Sequence, residues 1–103
     1  HIEDNSDGKN KIKMTLAEEV TFINKGAILK ELDSLPEGTY LELDVMKTRY
    51  LDYDIIEILE DFSLKAKERN IDIKLISKRG VVENPPSYIE FFKQKPKSNL
   101  SLS

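Results

Sequence analysis

The chain has 103 residues, 39% of them hydrophobic and 34% charged, with a formal net charge of −3. That is enough chain for one domain with its own core, and too charged for a membrane span. Its apolar runs of two or three residues fall far short of the roughly 20 that a spanning helix needs. A mild negative charge gives no bulk attraction to DNA or to anionic lipid, so no nucleic-acid partner is expected.

Two absences narrow the chemistry further. There is no cysteine, which removes disulfides, thiolate metal sites and cysteine nucleophiles together and is compatible with a reducing compartment. The only histidine is His1, so a histidine-centred triad or a multi-histidine metal site is excluded within one chain. Gly8, Gly26, Gly38 and Gly80 lie far apart and form no glycine-rich phosphate cradle. No signal-peptide pattern opens the chain. What remains is carboxylate chemistry, a binding module, or a part of something larger.

The chain opens with His1-Ile2-Glu3-Asp4 and then Asn5-Ser6-Asp7-Gly8, turn chemistry that tolerates positive φ. Lys11-Ile12-Lys13-Met14-Thr15-Leu16 alternates polar and apolar, so the two stretches read as a β-hairpin. Residues 22–35 read as a helix. Asn24 is its expected cap, Ile23 and Ile28 have the spacing of a hydrophobic staple, and Ile28, Leu32 and Leu35 form an apolar stripe edged by Leu29. Pro36 and Gly38 end it. Thr39-Tyr40-Leu41-Glu42-Leu43-Asp44-Val45 is the clearest strand, and residues 46–50 read as a short connection.

A strong helix follows Leu51-Asp52-Tyr53-Asp54. Ile55, Leu59, Phe62 and Ala66 recur at helical spacing, and Ile56, Ile58 and Leu64 are expected to widen the apolar face. Its early turns are acidic and its late turns basic, which suits the helix dipole. Asn70 closes it. Ile71-Asp72-Ile73-Lys74-Leu75-Ile76 is another alternating strand. Residues 77–86 read as a loop, because Gly80 and Pro85-Pro86 break regular structure. Residues 87–94 read as a short helix capped by Ser87, with Ile89, Phe91 and Phe92 turned inward. Beyond Pro96 the composition predicts a flexible tail. Helix crossovers between the strands from Thr39 and Ile71 imply a parallel pair. The fold class is therefore α/β: a mixed four- to five-stranded sheet flanked by helices, with an opening hairpin and then alternating helix and strand.

Two groups of acids invite a metal. Setting Gly8 as the glycine of a calcium loop places Glu3, Asn5 and Asp7 at alternating ligand positions, but the closing glutamate then falls on Met14. A polar hairpin turn explains the segment better. Asp44, Asp52 and Asp54 stand where the end of a strand meets the start of a helix, the rim at which open α/β sheets bind ligands. Carboxylates there also serve capping and the helix dipole with no chemistry attached, and no histidine or lysine nucleophile stands nearby. Residues 41–61 carry seven acids and two bases, a local −5, and residues 62–80 six bases and two acids, a local +4. A solvated, dipole-matched helix accounts for most of this, and a charge-guided docking surface accommodates the rest.

Three segments together resemble a known family: Leu16-Ala17-Glu18-Glu19-Val20-Thr21-Phe22-Ile23-Asn24-Lys25, Leu43-Asp44-Val45, and Tyr50-Leu51-Asp52-Tyr53-Asp54-Ile55-Ile56-Glu57-Ile58-Leu59. They look like the STAS domain (sulfate transporter and anti-sigma-factor antagonist), and more narrowly like the C-terminal STAS domain of bacterial SulP-family anion transporters. The resemblance covers residues 1–95, leaving 96–103 as the tail. It implies a STAS-like fold and a non-catalytic domain without cofactor or metal, working at the cytoplasmic face of the bacterial inner membrane. The implied carrier moves an inorganic anion such as sulfate or bicarbonate, or a dicarboxylate. The implied partners are the transmembrane domain of its own transporter, a second STAS domain in a dimer, or a cytoplasmic regulatory protein.

In the antagonist branch of the family a serine or threonine in the loop before the second helix is phosphorylated. Here Asp52 keeps the acidic position of that loop, Asp54 stands where the modified residue aligns, and Ile55 replaces a glycine. One carboxylate carries less charge and fewer acceptor oxygens than a phosphate, so at most it imitates a permanently modified state. The expected contact surface is Arg49, Asp52, Tyr53, Asp54 and Glu57. The alternative reading is a stand-alone signalling protein of the anti-sigma-factor-antagonist type.

Overall fold

The structure, a computed structural model, describes the backbone of Ile2–Glu3 and, in full, residues 10–93. The polar turn at residues 5–8, with the calcium reading attached to it, and the expected tail lie outside the described residues.

The elements in chain order are β1 (Ile2–Glu3), β2 (Lys11–Thr15), β3 (Glu19–Val20), a 3₁₀ turn (Phe22–Asn24), α1 (Lys25–Asp33), β4 (Tyr40–Asp44), β5 (Tyr50–Leu51), α2 (Tyr53–Glu68), β6 (Asp72–Ser77), β7 (Gly80–Glu83) and α3 (Tyr88–Lys93). Five strands form one mixed sheet in the order β1-β2-β4-β6-β7, and β3 and β5 form a separate two-stranded ladder. The molecule is thus an α/β fold, as the alternation of periods predicts. β1 and β2 are antiparallel, with Ile2 opposite Ile12. β2, β4 and β6 run parallel, with Ile12, Leu41 and Ile73 in one register row and Met14, Leu43 and Leu75 in the next.

Those rows explain the core. Period-two alternation sends Met14, Leu41, Leu43, Ile73 and Leu75 to one face of the sheet, where all are buried. Ile28, Leu32 and Leu35 after and along α1, and Ile55, Ile56, Leu59, Phe62 and Ala66 along α2, join them in a single cluster. Each fully buried Leu or Ile contributes roughly 1.5–3 kcal/mol relative to exposure. The opposite face of the sheet is largely polar, with Ile76 and Val81 paired on it. There Lys11 and Lys74 stand 4.0 and 3.8 Å from the Glu42 carboxylate, and Lys13 stands 3.6 Å from Asp44. Tyr40 donates to Glu83 at 2.8 Å on the same face. Burial, the Glu83 hydrogen bond and the surrounding carboxylates push its phenol up to about 12.

Several local expectations are corrected. Residues 22–35 are not one helix. The segment starts as a 3₁₀ turn capped by Thr21, whose hydroxyl accepts the Ile23 N–H while Asn24 Oδ1 accepts the Thr21 N–H at 2.8 Å, a capping box. Asn24 therefore faces back to Thr21 and gives α1 no side-chain cap. The staple does not form, because Ile23 is 78% exposed. Residues 77–86 are not all loop. Ser77 pairs with Gly80 and Leu75 with Val82, closing a tight hairpin on Lys78 and Arg79. Gly80 takes φ +117°, a conformation that a side chain disfavours, so the residue read as a breaker starts the strand. Leu64 is 62% exposed and does not widen the apolar face of α2. Tyr50, placed in a connection, belongs to β5.

Other expectations stand. Leu29 edges the α1 stripe, and Asn70 follows α2 in the left-handed region at φ 58°. The Arg69 guanidinium, stacked 5.9 Å from the Phe62 ring, donates to the carbonyls of Leu32, Asp33 and Leu35 and so satisfies the open end of α1. In α3 the expected cap is present, Ser87 Oγ accepting from Glu90 N–H at 3.1 Å. Ile89, Phe91 and Phe92 are partly buried against the core, but the fully buried side chain is Tyr88.

Candidate functional site

The parallel strands β2, β4 and β6 all end at the same rim, and the segments that follow β2 and β4 are joined there. β3 pairs with β5 in parallel, Glu19 opposite Tyr50 and Val20 opposite Leu51. The Glu18 carbonyl accepts from Arg49 N–H at 2.7 Å and from Tyr50 N–H at 3.1 Å, and the Val20 carbonyl accepts from Asp52 N–H at 2.9 Å. The Thr48 hydroxyl adds a bond to the Ala17 carbonyl at 2.8 Å. Val20 turns inward and is buried. Glu19 and Tyr50, one position out of phase, share the outer side of the ladder, and both are exposed.

Four of the five predicted contact residues, Asp52, Tyr53, Asp54 and Glu57, lie on the segment that leaves this ladder and begins α2, and the fifth, Arg49, lies just before β5. Asp52 is the N-cap. It has extended backbone, and its Oδ1 accepts from Asp54 N–H at 3.0 Å. Tyr53, the first residue of the helix, is 54% exposed. Asp54, in the first turn, stands 3.9 Å from the Lys25 ammonium at the start of α1. Glu57 follows one turn further along the helix and is exposed, as is Arg49 before β5. Asp52 thus has a structural task, and the other four present side chains outward.

Asp44, Asp52 and Asp54 do not assemble as a metal-binding trio. Asp44 is held by Lys13 and accepts the Met46 N–H at 2.8 Å, a turn bond at the end of β4, while Asp52 is engaged with its own helix. Among the described residues no group of three or more acids or histidines is placed to hold a metal ion.

Side chains that the sequence reading passed over complete the surface. Phe22 is 62% exposed, Ile23 78% and Tyr50 53%, and each lies on an element joined to the β3–β5 ladder or following it directly. The sequence held a signal for the first two. Phe22 and Ile23 lie six and five residues before Ile28, off the three-, four- and seven-residue spacing of a buried helical stripe. The result is a rim with aromatic and aliphatic side chains (Phe22, Ile23, Tyr50, Tyr53) set among charges of both signs (Glu19, Lys25, Arg49, Asp54, Glu57). Exposed apolar groups grouped in this way, with polar neighbours, characterise interaction surfaces.

No family model, no curated protein and no solved structure matches this chain. Among the described residues no helix is long and apolar enough to cross a membrane.

Proposed function

We propose that this chain is a STAS-like regulatory or assembly domain of a SulP-family anion transporter, without catalytic activity of its own, and that it acts by protein–protein contact at the cytoplasmic face of the membrane. The observation that supports this reading is the β3–β5 ladder. The two longest segments that carry the resemblance, around Glu18-Glu19-Val20-Thr21-Phe22 and around Tyr50-Leu51-Asp52-Tyr53-Asp54, are far apart in sequence, yet they share one rim through the Glu19–Tyr50 register and the Lys25–Asp54 pair. A contact role gives both segments a common reason to be there.

On this reading Tyr53 and Phe22 supply apolar anchors, and Arg49, Asp54 and Glu57 orient the partner. The partner is the transmembrane domain of the same transporter. A carboxylate at position 54 gives the loop a fixed charge, which favours a constitutive contact over one switched by a kinase.

The test starts with the gene. Ten or more hydrophobic spans encoded upstream of His1 in the same reading frame are expected, and a start codon within a few residues of His1 would overturn the proposal in favour of a free antagonist-type protein. In the intact transporter, Tyr53→Ala and Asp54→Lys are expected to alter anion uptake without lowering the amount of protein in the membrane.

A further inference from the structure

Beside the contact rim lies an open groove of about 580 Å³, lined by Val45, Thr48, Arg49, Tyr50, Leu51, Ile56 and Phe92. Its floor is apolar. Val45 and Ile56 belong to the buried core, and Leu51 and Phe92 pack against it. Arg49 is the one charged side chain in the lining, and it has no ion pair among the described residues. The other groups that hold the groove in shape are already engaged. The Thr48 hydroxyl is donated to Ala17, and the backbone of residues 49–52 is tied to β3. On the far side, Phe92 is positioned by α3. That helix is anchored at its start by the Glu60 carboxylate and near its end by Arg79, which donates to the Phe91 carbonyl and stacks 4.2 Å from the Phe91 ring.

We propose that this groove binds a small organic anion with an aromatic or compact apolar body. Sites for small molecules are mostly apolar concavities of roughly 300–1,000 Å³ with few polar groups to fix orientation, and this groove has that size and that balance. The anionic group sits on the Arg49 guanidinium, whose planar fork suits carboxylates, sulfonates and phosphates. The ring lies against Tyr50 and Phe92 over the Leu51–Ile56 floor. Charge complementarity favours this occupant over an uncharged lipid or a cation, since the single uncompensated charge in the lining is positive. The proposal does not depend on the transporter reading. Arg49 serves both, so an occupied groove takes Arg49 away from the rim and makes the contact surface sensitive to ligand.

The probe pair 1-anilinonaphthalene-8-sulfonate and N-phenyl-1-naphthylamine differs by the sulfonate alone. With the folded 103-residue chain the sulfonate is expected to bind one per chain, about tenfold tighter than the uncharged probe, as one charge-assisted contact supplies. Its backbone amide shifts in NMR are expected at Thr48, Leu51, Ile56 and Phe92. Arg49→Gln should bring the sulfonate to the level of the uncharged probe, and Tyr50→Ala should weaken both. Equal binding of the two probes to the wild-type chain, an Arg49→Gln variant that keeps the preference, or shifts gathered instead beside Ile12 and Leu35 would each overturn the proposal. So would binding that appears only after the chain is truncated behind Lys93, which would give the groove to the chain's own C-terminal residues. None of these outcomes touches the genomic test of the contact reading.

Discussion

Asp52 Oδ1 accepts the backbone N–H of Asp54 at 3.0 Å, so the two carboxylates that flank Tyr53 do different work. The first caps the start of α2, and the second faces outward toward Lys25. Asp52→Ala is expected to destabilise the chain by about 1 kcal/mol, the usual loss of an N-cap, while Asp52→Asn keeps most of that stability. Asp54→Lys removes only a 3.9 Å pair whose two side chains are each about half exposed, and its effect is expected to stay within about 1 kcal/mol. Urea denaturation of the three variants gives the ranking. A larger loss for Asp54→Lys than for Asp52→Ala would reverse the assignment of the cap.

The exposed aromatics of the rim should separate stability from function. With Tyr53 54% exposed, Tyr53→Ala is expected to shift unfolding by no more than about 0.5 kcal/mol. A severalfold change in uptake by the intact transporter is expected from the same variant. Thermal melts of the chain and transport assays of the whole protein measure the two effects independently.

Glu60 holds α3 to α2. Its Oε1 accepts the N–H groups of Tyr88 at 2.6 Å and Ile89 at 3.2 Å, and the Ser87 hydroxyl lies within 3.4 Å of the same carboxylate. Glu60→Ala leaves those donors without their acceptor and is expected to cost about 1–3 kcal/mol. Hydrogen exchange should show the loss first at Tyr88 and Ile89, with β4 and β6 still protected, because the helix is a small unit at the edge of the cooperative core.

Alkaline conditions should destabilise the fold through its tyrosines. The Tyr40 phenol is raised to about 12 by burial and by Glu83, against about 10 in an unfolded chain. Burial, with Glu60 nearby, raises Tyr88 as well. A folded-state value above the unfolded one means that the unfolded chain loses its proton first. The stability from this source is complete below pH 10 and is lost as the pH rises toward 12. Tyr40→Phe is expected to flatten that decline, and phenolate absorbance at 295 nm should lose a late-titrating component. Tyr88→Phe tests a different point. The Tyr88 hydroxyl is buried and finds no hydrogen-bond partner among the described residues, so its removal is expected to leave stability at neutral pH unchanged or raise it by about 1 kcal/mol.

The two leucines of α2 provide a control on the packing. Leu59 is 2% exposed and Leu64 62%. Leu59→Ala is expected to cost about 2–5 kcal/mol and Leu64→Ala no more than about 0.5 kcal/mol. Chemical denaturation of the two variants under identical conditions compares them directly.

Where the sequence was readable, a single period governed the segment. Leu41, Leu43 and Val45 alternate with Tyr40, Glu42 and Asp44, and Ile55, Leu59, Phe62 and Ala66 keep a helical spacing, so the strands, the long helix and the parallel pairing could be read from the sequence. The failures cluster where two local solutions compete. Thr21 and Asn24 are both good caps, and the choice between them rests on a reciprocal bond that only the folded turn reveals. Gly80 next to two valines reads as a break or as the start of a hairpin strand, and the pairing of Ser77 with Gly80 settles it. The outward-facing acids of the candidate site were visible as helix-start chemistry. Of its apolar half, Tyr53 was visible and the spacing of Phe22 and Ile23 held a signal, but their grouping with Tyr50 was not legible, because β3 and β5 are two residues each and their pairing joins segments that no local pattern connects.

That small ladder has a mechanical consequence. Three backbone bonds to the Glu18 and Val20 carbonyls fasten the segment after β4 to the segment after β2, and the segment after β4 runs through β5 into the first turn of α2. Neither segment can be pulled without dragging the other. A load applied at Phe22 is therefore delivered to the root of the longest helix in the molecule, which makes the rim a lever.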